Sequence, residues 1–334
     1  MKLIIPMAGK GTRLRPHSHT TPKPLLPVAG VSVVERIVQT FKRTLDANIT
    51  EIAYVLGDFG DEVKEQLTSL SKRNGADSRF FYQDEALGTA HAVYCAADAL
   101  EGEVIVVFAD TLFDTNEKVS VEGADSVIWL KEVEDPSRFG VAVEEGDKIT
   151  GFVEKPSEPI SNLAIIGVYY FKQGEELRKH LKYLLDNNIR GHGDEFQLTD
   201  AIDRMLKEGK VFKPATVDEW LDCGTIPAWL DTSRVIIDKE FSNADYKEIN
   251  HNTRIHPPVH IGEGARIEGS ELGPYTSIGR NAVIKNSKLG NCILQDDAQV
   301  ENSSLDRSTI GKNTEVSNAK GEIHIGDHSK LNLS

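Results

Sequence analysis

Aliphatic residues recur five or six positions apart through the last eighty residues of this chain, at Ile261, Ile267, Leu272, Ile278, Ile284, Leu289, Leu294, Val300, Leu305, Ile310 and Val316. Several are followed directly by glycine, as in Ile261-Gly262, Leu272-Gly273, Ile278-Gly279, Leu289-Gly290 and Ile310-Gly311. A spacing near six suits a left-handed parallel β-helix. In that architecture three short strands make each triangular coil, and the aliphatic side chains stack along the inside. The eleven positions predict between three and four coils.

The preceding region has a different pattern. From Met1 to about Arg234, short apolar runs alternate with amphipathic segments, which predicts an α/β fold with a Rossmann-like, mostly parallel sheet. Strands are expected at Leu3 to Met7, Ile52 to Leu56, Val104 to Phe108 and Ser126 to Leu130. Helices are expected at Val33 to Asp46, Gly60 to Ser71, Thr89 to Leu100 and Leu198 to Lys207. The domain boundaries expected are 1–235 for the α/β domain, 236–250 for a connecting helix and linker, and 251–334 for the β-helix, with His256-Pro257-Pro258 opening the solenoid. In open parallel sheets ligands lie beyond the carboxyl ends of the strands. Gly9-Gly11 and Ala109-Asp110 follow two of those ends.

Composition narrows the partners. A formal net charge of -14 over 334 residues argues against nucleic acid, whose binders neutralise phosphates with clustered Lys and Arg. A nucleotide substrate remains compatible, because a local cationic loop and a divalent ion can reverse the field within one cleft. Cys95, Cys223 and Cys292 lie far apart and form no C-x-x-C pair, so neither a disulfide framework nor a zinc knuckle is implied. The longest apolar runs are far short of a membrane span and the N-terminal run is too short for a signal sequence, which reads as a cytoplasmic protein without membrane contact.

The first thirty residues carry the chemistry. Leu3-Ile4-Ile5-Pro6-Met7-Ala8 leads into Gly9-Lys10-Gly11-Thr12-Arg13-Leu14-Arg15-Pro16, then Thr21-Pro22-Lys23-Pro24-Leu25-Leu26-Pro27. Glycines let the backbone approach an anion, loop amides can donate to phosphate oxygens, and Arg13, Arg15 and Lys23 supply charge. The P-loop pattern fails because Ile4 stands where its first glycine belongs, and the dinucleotide pattern fails because Leu14 replaces its third. The run closely resembles the signature of the sugar-1-phosphate nucleotidyltransferases, G-x-G-T-R-L-x-P followed by P-K-x-L-L-P.

That resemblance implies roles residue by residue. Arg13 and Lys23 match the cations that hold the triphosphate, while Ala8, Gly9, Gly11 and Thr12 match the rest of the nucleotide loop. Asp110, in Phe108-Ala109-Asp110-Thr111, matches the metal-binding aspartate. Asp222, in Trp220-Leu221-Asp222-Cys223-Gly224-Thr225, matches its partner in W-x-D-x-G-T, and two carboxylates suit Mg²⁺. Phe139-Gly140-Val141 and Glu154-Lys155-Pro156 match the sugar-phosphate segments, with Lys155 on the phosphate and Gly140 and Glu154 on the sugar. Glu195 falls in a G-E-x-Q-L-T-D pattern whose glycine is here Asp194. Gln83, Gly88 and Thr89 match the base-reading segment, where an amide can pair with the imide edge of uracil or thymine. Leu87-Gly88-Thr89-Ala90-His91 is closer to the wording of the UTP users. Lys23 is followed by Pro24 where many thymidylyltransferases have glutamine, and guanylyl enzymes also carry L-G-T-A, so the base stays open.

The function implied is Mg²⁺-dependent transfer of a nucleotidyl group from UTP or dTTP to glucose-1-phosphate, with release of pyrophosphate. Catalysis would rest on positioning and charge neutralisation by Arg13, Lys23, Asp110, Lys155 and Asp222. Two alternatives are a bifunctional enzyme with added acetyltransferase activity and a non-catalytic sugar-nucleotide-binding regulator. The β-helix is expected to mediate a homo-oligomer. His17, His19, His91 and His192 lie near the motifs without metal-ligand spacing and read mainly as surface or capping residues.

Overall fold

The computed structural model describes residues 1–45, 48–115, 118–158, 160–246 and 252–333. The chain divides into two compact units, Met1–Gly9 with Glu35–Trp220, and Lys10–Val34 with Leu221–Ser334. Lys10–Val34 thus groups with the C-terminal region and not with the strand it follows.

The first unit is built on a nine-stranded sheet. Lys2–Pro6 lies between Glu51–Leu56 and Val104–Val107, parallel to both, and Asp77–Tyr82 extends this parallel half beyond Glu51–Leu56. Leu3, Ile4 and Ile5 are each 0% exposed, so both faces of the first strand are covered. That is why it reads as a continuous apolar run without alternation. On the other side Leu163–Phe171 pairs antiparallel with Val104–Val107, Ser126–Glu132 and Gly140–Glu145, and Lys148–Glu154 makes a hairpin with the last of these. Phe212–Thr216 returns parallel to Ser126–Glu132. The antiparallel strands matter to function because Gly140 and Glu154 end one hairpin and face each other in register.

Helices Glu35 onward in Val33–Thr44, Gly60–Arg73, Gly174–Asp186 and Leu198–Lys207 cover the sheet. The helix expected from Thr89 to Leu100 is shorter, Thr89–Tyr94, and a separate 3-10 turn follows at Ala97–Ala99. Of the helix expected to reach Asp46, the last residue lies outside the described ones.

The second unit is a left-handed parallel β-helix preceded by a capped helix and joined by the loop Lys10–Val34. Thr225 caps Ile226–Phe241 by accepting from the Ala228 amide at 3.3 Å, with Pro227 in the first turn. This helix runs through the boundary expected at 235, and residues 247–250 of the expected linker lie outside the described residues.

Among the described residues three five-stranded parallel sheets form the solenoid walls and give five coils, where the periodicity predicts three to four. The sequence count stopped short for a physical reason. Ile255 pairs with Leu272, Ile310 with Ile325 and Val316 with Leu331, all inward positions, but Leu305 pairs with Gly321, which has no side chain to mark its place. Inside, small residues precede several of the aliphatics by two. Ala282 comes before Ile284, Cys292 before Leu294 and Ala298 before Val300, and all are buried. Strand alternation puts both members of each pair on the inner face.

Corners between walls are turned by residues at positive φ, and most of those that are not glycine are asparagine: Asn281, Asn286, Asn291, Asn302, Asn313 and Asn318. Asparagine tolerates that left-handed conformation better than other side chains with a Cβ.

Candidate active site

Within the first unit the motifs meet in two clusters. In one, the Gly88 Cα approaches the Phe196 backbone so closely that a Cβ there would sit 2.5 Å from the Phe196 carbonyl oxygen, and its φ is 114°. The glycine at this position is therefore required by the chain packed against it. Phe196 N–H donates to the Leu87 carbonyl at 2.9 Å and the Ala90 N–H donates to that of Phe196 at 2.8 Å, which fixes the Leu87-to-Ala90 segment against the loop from Glu195 to Leu198. The Thr89 hydroxyl donates to Gln197 Oε1 at 3.2 Å and accepts the Leu198 amide at 2.9 Å. Thr89 thus caps helix Leu198–Lys207 from a distant segment. Gln83 Nε2 is held near His91 Nδ1 at 3.2 Å and the Gly88 carbonyl at 3.5 Å. Glu195 is exposed, with its Oε2 3.3 Å from Gln197 Nε2.

The other cluster gathers Gly140, Glu154, Lys155 and Thr199. A Cβ on Gly140 would stand 2.8 Å from Glu154 Oε2, so the carboxylate fills the space a side chain would need. The Thr199 hydroxyl donates to that same oxygen at 2.7 Å. Lys155 has φ 44° and its N–H donates to the Phe139 carbonyl at 3.0 Å, while its Nζ lies 4.0 Å from Glu154 Oε1. A left-handed conformation costs a non-glycine residue about 1–2 kcal/mol. Such strain persists only where surrounding structure over-determines it, and it concentrates at ligand sites.

Charge and burial mark the same place. Burial, with the charges of Glu154 and Asp110 next, holds the Tyr169 hydroxyl protonated well beyond its ordinary range. Burial, with Glu154 next, raises the Asp200 carboxyl. Asp110 is exposed just past strand Val104–Val107.

Within the second unit, Arg13 and Asp222 come together across Gly224. A Cβ at Gly224 would lie 2.8 Å from Asp222 Oδ1 and 3.5 Å from Arg13 Nη2. Asp222 is exposed and is oriented by its neighbours, Oδ1 accepting the Gly224 amide at 2.7 Å and its carbonyl accepting the Thr232 hydroxyl at 2.7 Å. Gly11 takes φ 56°, and a Cβ there would meet the Ser18 and Lys23 Cβ atoms at 3.2 and 3.4 Å. The loop is therefore folded tightly enough to bring the half-buried Lys23 back beside Gly11. Thr12 and Arg13 are exposed in the first of its 3-10 turns. Ala8 and Gly9 belong to the first unit.

The family model described as "Nucleotidyl transferase" matches residues 2–239. The chain belongs to the nucleotidyl transferase family. It is a sugar-1-phosphate nucleotidyltransferase carrying a C-terminal left-handed β-helix. The low-salt glycan biosynthesis nucleotidyltransferase Agl11 of Haloferax volcanii is 30% identical to it over the full length of both chains. A glucose-1-phosphate thymidylyltransferase of Streptomyces griseus is 27% identical, also over the full length of both. Among solved structures, a UDP-glucose pyrophosphorylase complexed with UDP-glucose superposes with a TM-score of 0.59 at 24% identity, covering 72% of this chain and 99% of that one, which shows the fold.

Residues of this nucleotidyl transferase that sequence reasoning passed over are now visible. Thr199 and Gln197 belong to the same Glu195-Phe196-Gln197-Leu198-Thr199-Asp200 run as Glu195, and both contact proposed site residues. His17, read with other histidines as surface or capping, is 0% exposed. No sequence signal marks it, since a buried histidine in a polar loop has no period.

Proposed function

We propose that this nucleotidyltransferase uses Mg²⁺ to transfer a uridylyl or thymidylyl group from the nucleoside triphosphate to glucose-1-phosphate. A phosphate oxygen of the sugar phosphate attacks the α-phosphorus in line. The bond from that phosphorus to the bridging oxygen breaks, and pyrophosphate leaves with the electron pair. The nucleophile is already an anion, so no general base is needed.

The observation that carries this reading is the Glu154–Lys155 pair held beside Gly140. It offers one cation for a phosphate and one carboxylate, already hydrogen-bonded by Thr199, for sugar hydroxyls. Arg13 and Lys23 take the triphosphate, with Ala8, Gly9, Gly11 and Thr12 giving the backbone that meets it. An always-charged guanidinium suits that role through its fork of donors. Gln83 presents its amide to the base, its nitrogen being held by His91 and Gly88. Gly88 and Thr89 serve that segment by packing against Phe196 and Gln197. Glu195 adjoins the same segment.

Asp110 and Asp222 are the residues that would hold the metal. Both are exposed carboxylates, and among the described residues no group of three or more His, Cys, Asp or Glu could hold an ion alone. An oxygen-only donor set of two carboxylates fits Mg²⁺, which keeps waters and takes substrate phosphates as further ligands. When bound, the ion neutralises phosphate charge during transfer. Among the described residues no helix is long and apolar enough to cross a membrane.

The test is pyrophosphate release with Mg²⁺ over a grid of UTP, dTTP, GTP, ATP and CTP against glucose-, N-acetylglucosamine-, mannose- and galactose-1-phosphate. The strongest cells are expected at UTP or dTTP with glucose-1-phosphate. A strong cell elsewhere replaces the substrates named here, and a blank grid with intact nucleotide binding replaces catalysis with regulation.

A further inference from the structure

The three outer walls of the β-helix are not alike. One wall presents Arg254, Glu271, Lys288, Ser304 and Lys320 in register, and another carries Glu268, Lys285 and Glu301. On the third wall the outward column is His260, Ser277, Ile293, Thr309 and His324. It holds no carboxylate, lysine or arginine, and its middle members Ser277, Ile293 and Thr309 are 3%, 1% and 0% exposed. An outward-facing column is buried only if something covers it. Here the cover includes the signature loop itself.

His17 is the point of attachment. With the Gln295 amide turned so that its nitrogen faces the ring, Gln295 Nε2 donates to His17 Nδ1 at 3.2 Å, because an amide nitrogen can only donate. The ring proton then sits on Nε2 and donates to Thr309 Oγ1 at 2.7 Å. The Thr309 hydroxyl donates to His324 Nδ1 at 2.9 Å, and His324 Nε2 donates to Glu322 at 3.2 Å. One direction of donation runs from Gln295 to the surface carboxylate. The His17 ring also packs edge-on against Trp229, with centroids 5.2 Å apart.

Two further contacts flank this peg. Gly326 admits the loop closely, since a Cβ there would meet the Pro16 Cβ and carbonyl oxygen at 3.1 Å. Asp327 Oδ2 accepts the Thr20 and Thr21 hydroxyls at 2.6 and 3.2 Å, while its Oδ1 accepts the Lys312 amide at 2.8 Å. The carboxylate therefore ties a coil corner to the loop.

We infer that the last three coils of the β-helix hold the signature loop in its working shape, and that His17 is a positioning residue for nucleotidyl transfer, acting through Arg13 and Lys23 on either side of it in sequence. The inference rests on the proposed role of those two cations at the triphosphate. Leu14 to Pro22 is the whole link between them, so the seat of its middle, Pro16 to Thr21, on the solenoid bears on where both charges stand. A loop freed from that seat keeps its residues but loses their geometry, and a misplacement of about 1 Å can cost on the order of a hundredfold in rate.

The experiment compares steady-state kinetics of the full chain with Thr309→Val, which removes the acceptor of His17 at constant shape, and with Thr20→Val/Thr21→Val, which cuts the loop side and leaves the Asp327 bond to Lys312 in place. Each variant is expected to raise KM for the nucleoside triphosphate and lower kcat, by about tenfold or more together, with KM for the sugar-1-phosphate unchanged and activity restored by Thr309→Ser or Thr20→Ser/Thr21→Ser. Unchanged nucleotide kinetics in both variants overturns the inference. So does a fall in kcat that only follows the lost folded fraction measured by circular dichroism. Arg13→Ala in the same assay separates the two readings: wild-type nucleotide kinetics in Arg13→Ala would remove the underlying role of the loop, whereas loss there with no loss in the threonine variants removes only the anchoring.

Discussion

The two units of this molecule hold their residues in place in opposite ways. In the α/β unit single positions are fixed by one-off contacts between segments far apart in sequence. Gly88 is pressed on Phe196, Gly140 leaves room for the Glu154 carboxylate, and Thr89 caps a helix that begins more than a hundred residues later. In the β-helix the same contact is repeated coil after coil, as in the column Leu272, Leu289 and Leu305. Repetition makes each coil interchangeable in principle, yet the wall around Thr309 is unlike the other two. The difference teaches that a solenoid becomes specific only where it is covered.

The largest expected effect tests that division directly. Asp110→Asn and Asp222→Asn each keep the shape and remove the charge proposed to hold the metal, and each is expected to lower kcat by about a hundredfold to a thousandfold, the scale seen when a preorganised electrostatic partner is lost. Both should leave the unfolding midpoint near wild type, since both side chains are exposed. Wild-type turnover in Asp222→Asn alone would return the C-terminal unit to a scaffold and break the comparison.

A core truncation sharpens it. Leu289 is 1% exposed at the centre of the solenoid, and Leu289→Ala is expected to cost about 2–5 kcal/mol, the transfer and cavity terms together. Leu130→Ala, at 0% exposure in the sheet, should cost a similar amount. The distribution of that loss should differ. In a quasi-one-dimensional stack each coil leans on its neighbours, so amide exchange in Leu289→Ala should rise first in the coils of Leu272 and Leu305. Uniform acceleration throughout the chain would show that the solenoid unfolds as one with everything else.

What could be read in the sequence divides along the same line. The parallel strands, the β-helix and the motif positions were legible because buried strands are apolar runs and stacked coils repeat. The fifth coil was hidden by Gly321, which occupies an inward place without an aliphatic side chain to show it. Helix Thr89–Tyr94 ends earlier than its apolar pattern suggests, because the chain turns into Ala97–Ala99. The real partners of the motif residues were not legible at all. Nothing local says that Thr89 caps Leu198, that Thr199 binds Glu154, or that His17 meets Thr309 nearly three hundred residues away. Each is a tertiary contact between polar side chains, and such contacts leave no period.

A pH titration probes one of those hidden contacts. Burial pushes the His17 imidazole down to about 4, with Asp327 acting to raise it and His324 to lower it. Because the folded value lies below the ordinary 6.5, the unfolded chain binds a proton between those two values that the folded chain does not. Stability should therefore fall as pH drops from about 6.5 to about 4, by about 3 kcal/mol from this group, and stay level above that range. His17→Asn should flatten this part of the profile. An identical slope in wild type and variant would assign it to other groups, and the peg would lose its electrostatic signature.

The smallest effect belongs to the open walls. Lys288 Nζ lies 3.2 Å from Glu271 Oε1, which also faces His256 Nε2 at 3.0 Å, and the lysine side chain is 67% exposed. Solvent screens such a pair and the ordering of two long side chains offsets its attraction, so exposed pairs contribute little. Lys288→Ala should leave kcat, both KM values and the unfolding midpoint unchanged, in low salt and high. Thr309→Val alters a neighbouring wall of the same solenoid and is expected to change the nucleotide kinetics. If Lys288→Ala changed them as well, sensitivity would be a general property of the β-helix, and the covered wall would have no special claim on the signature loop.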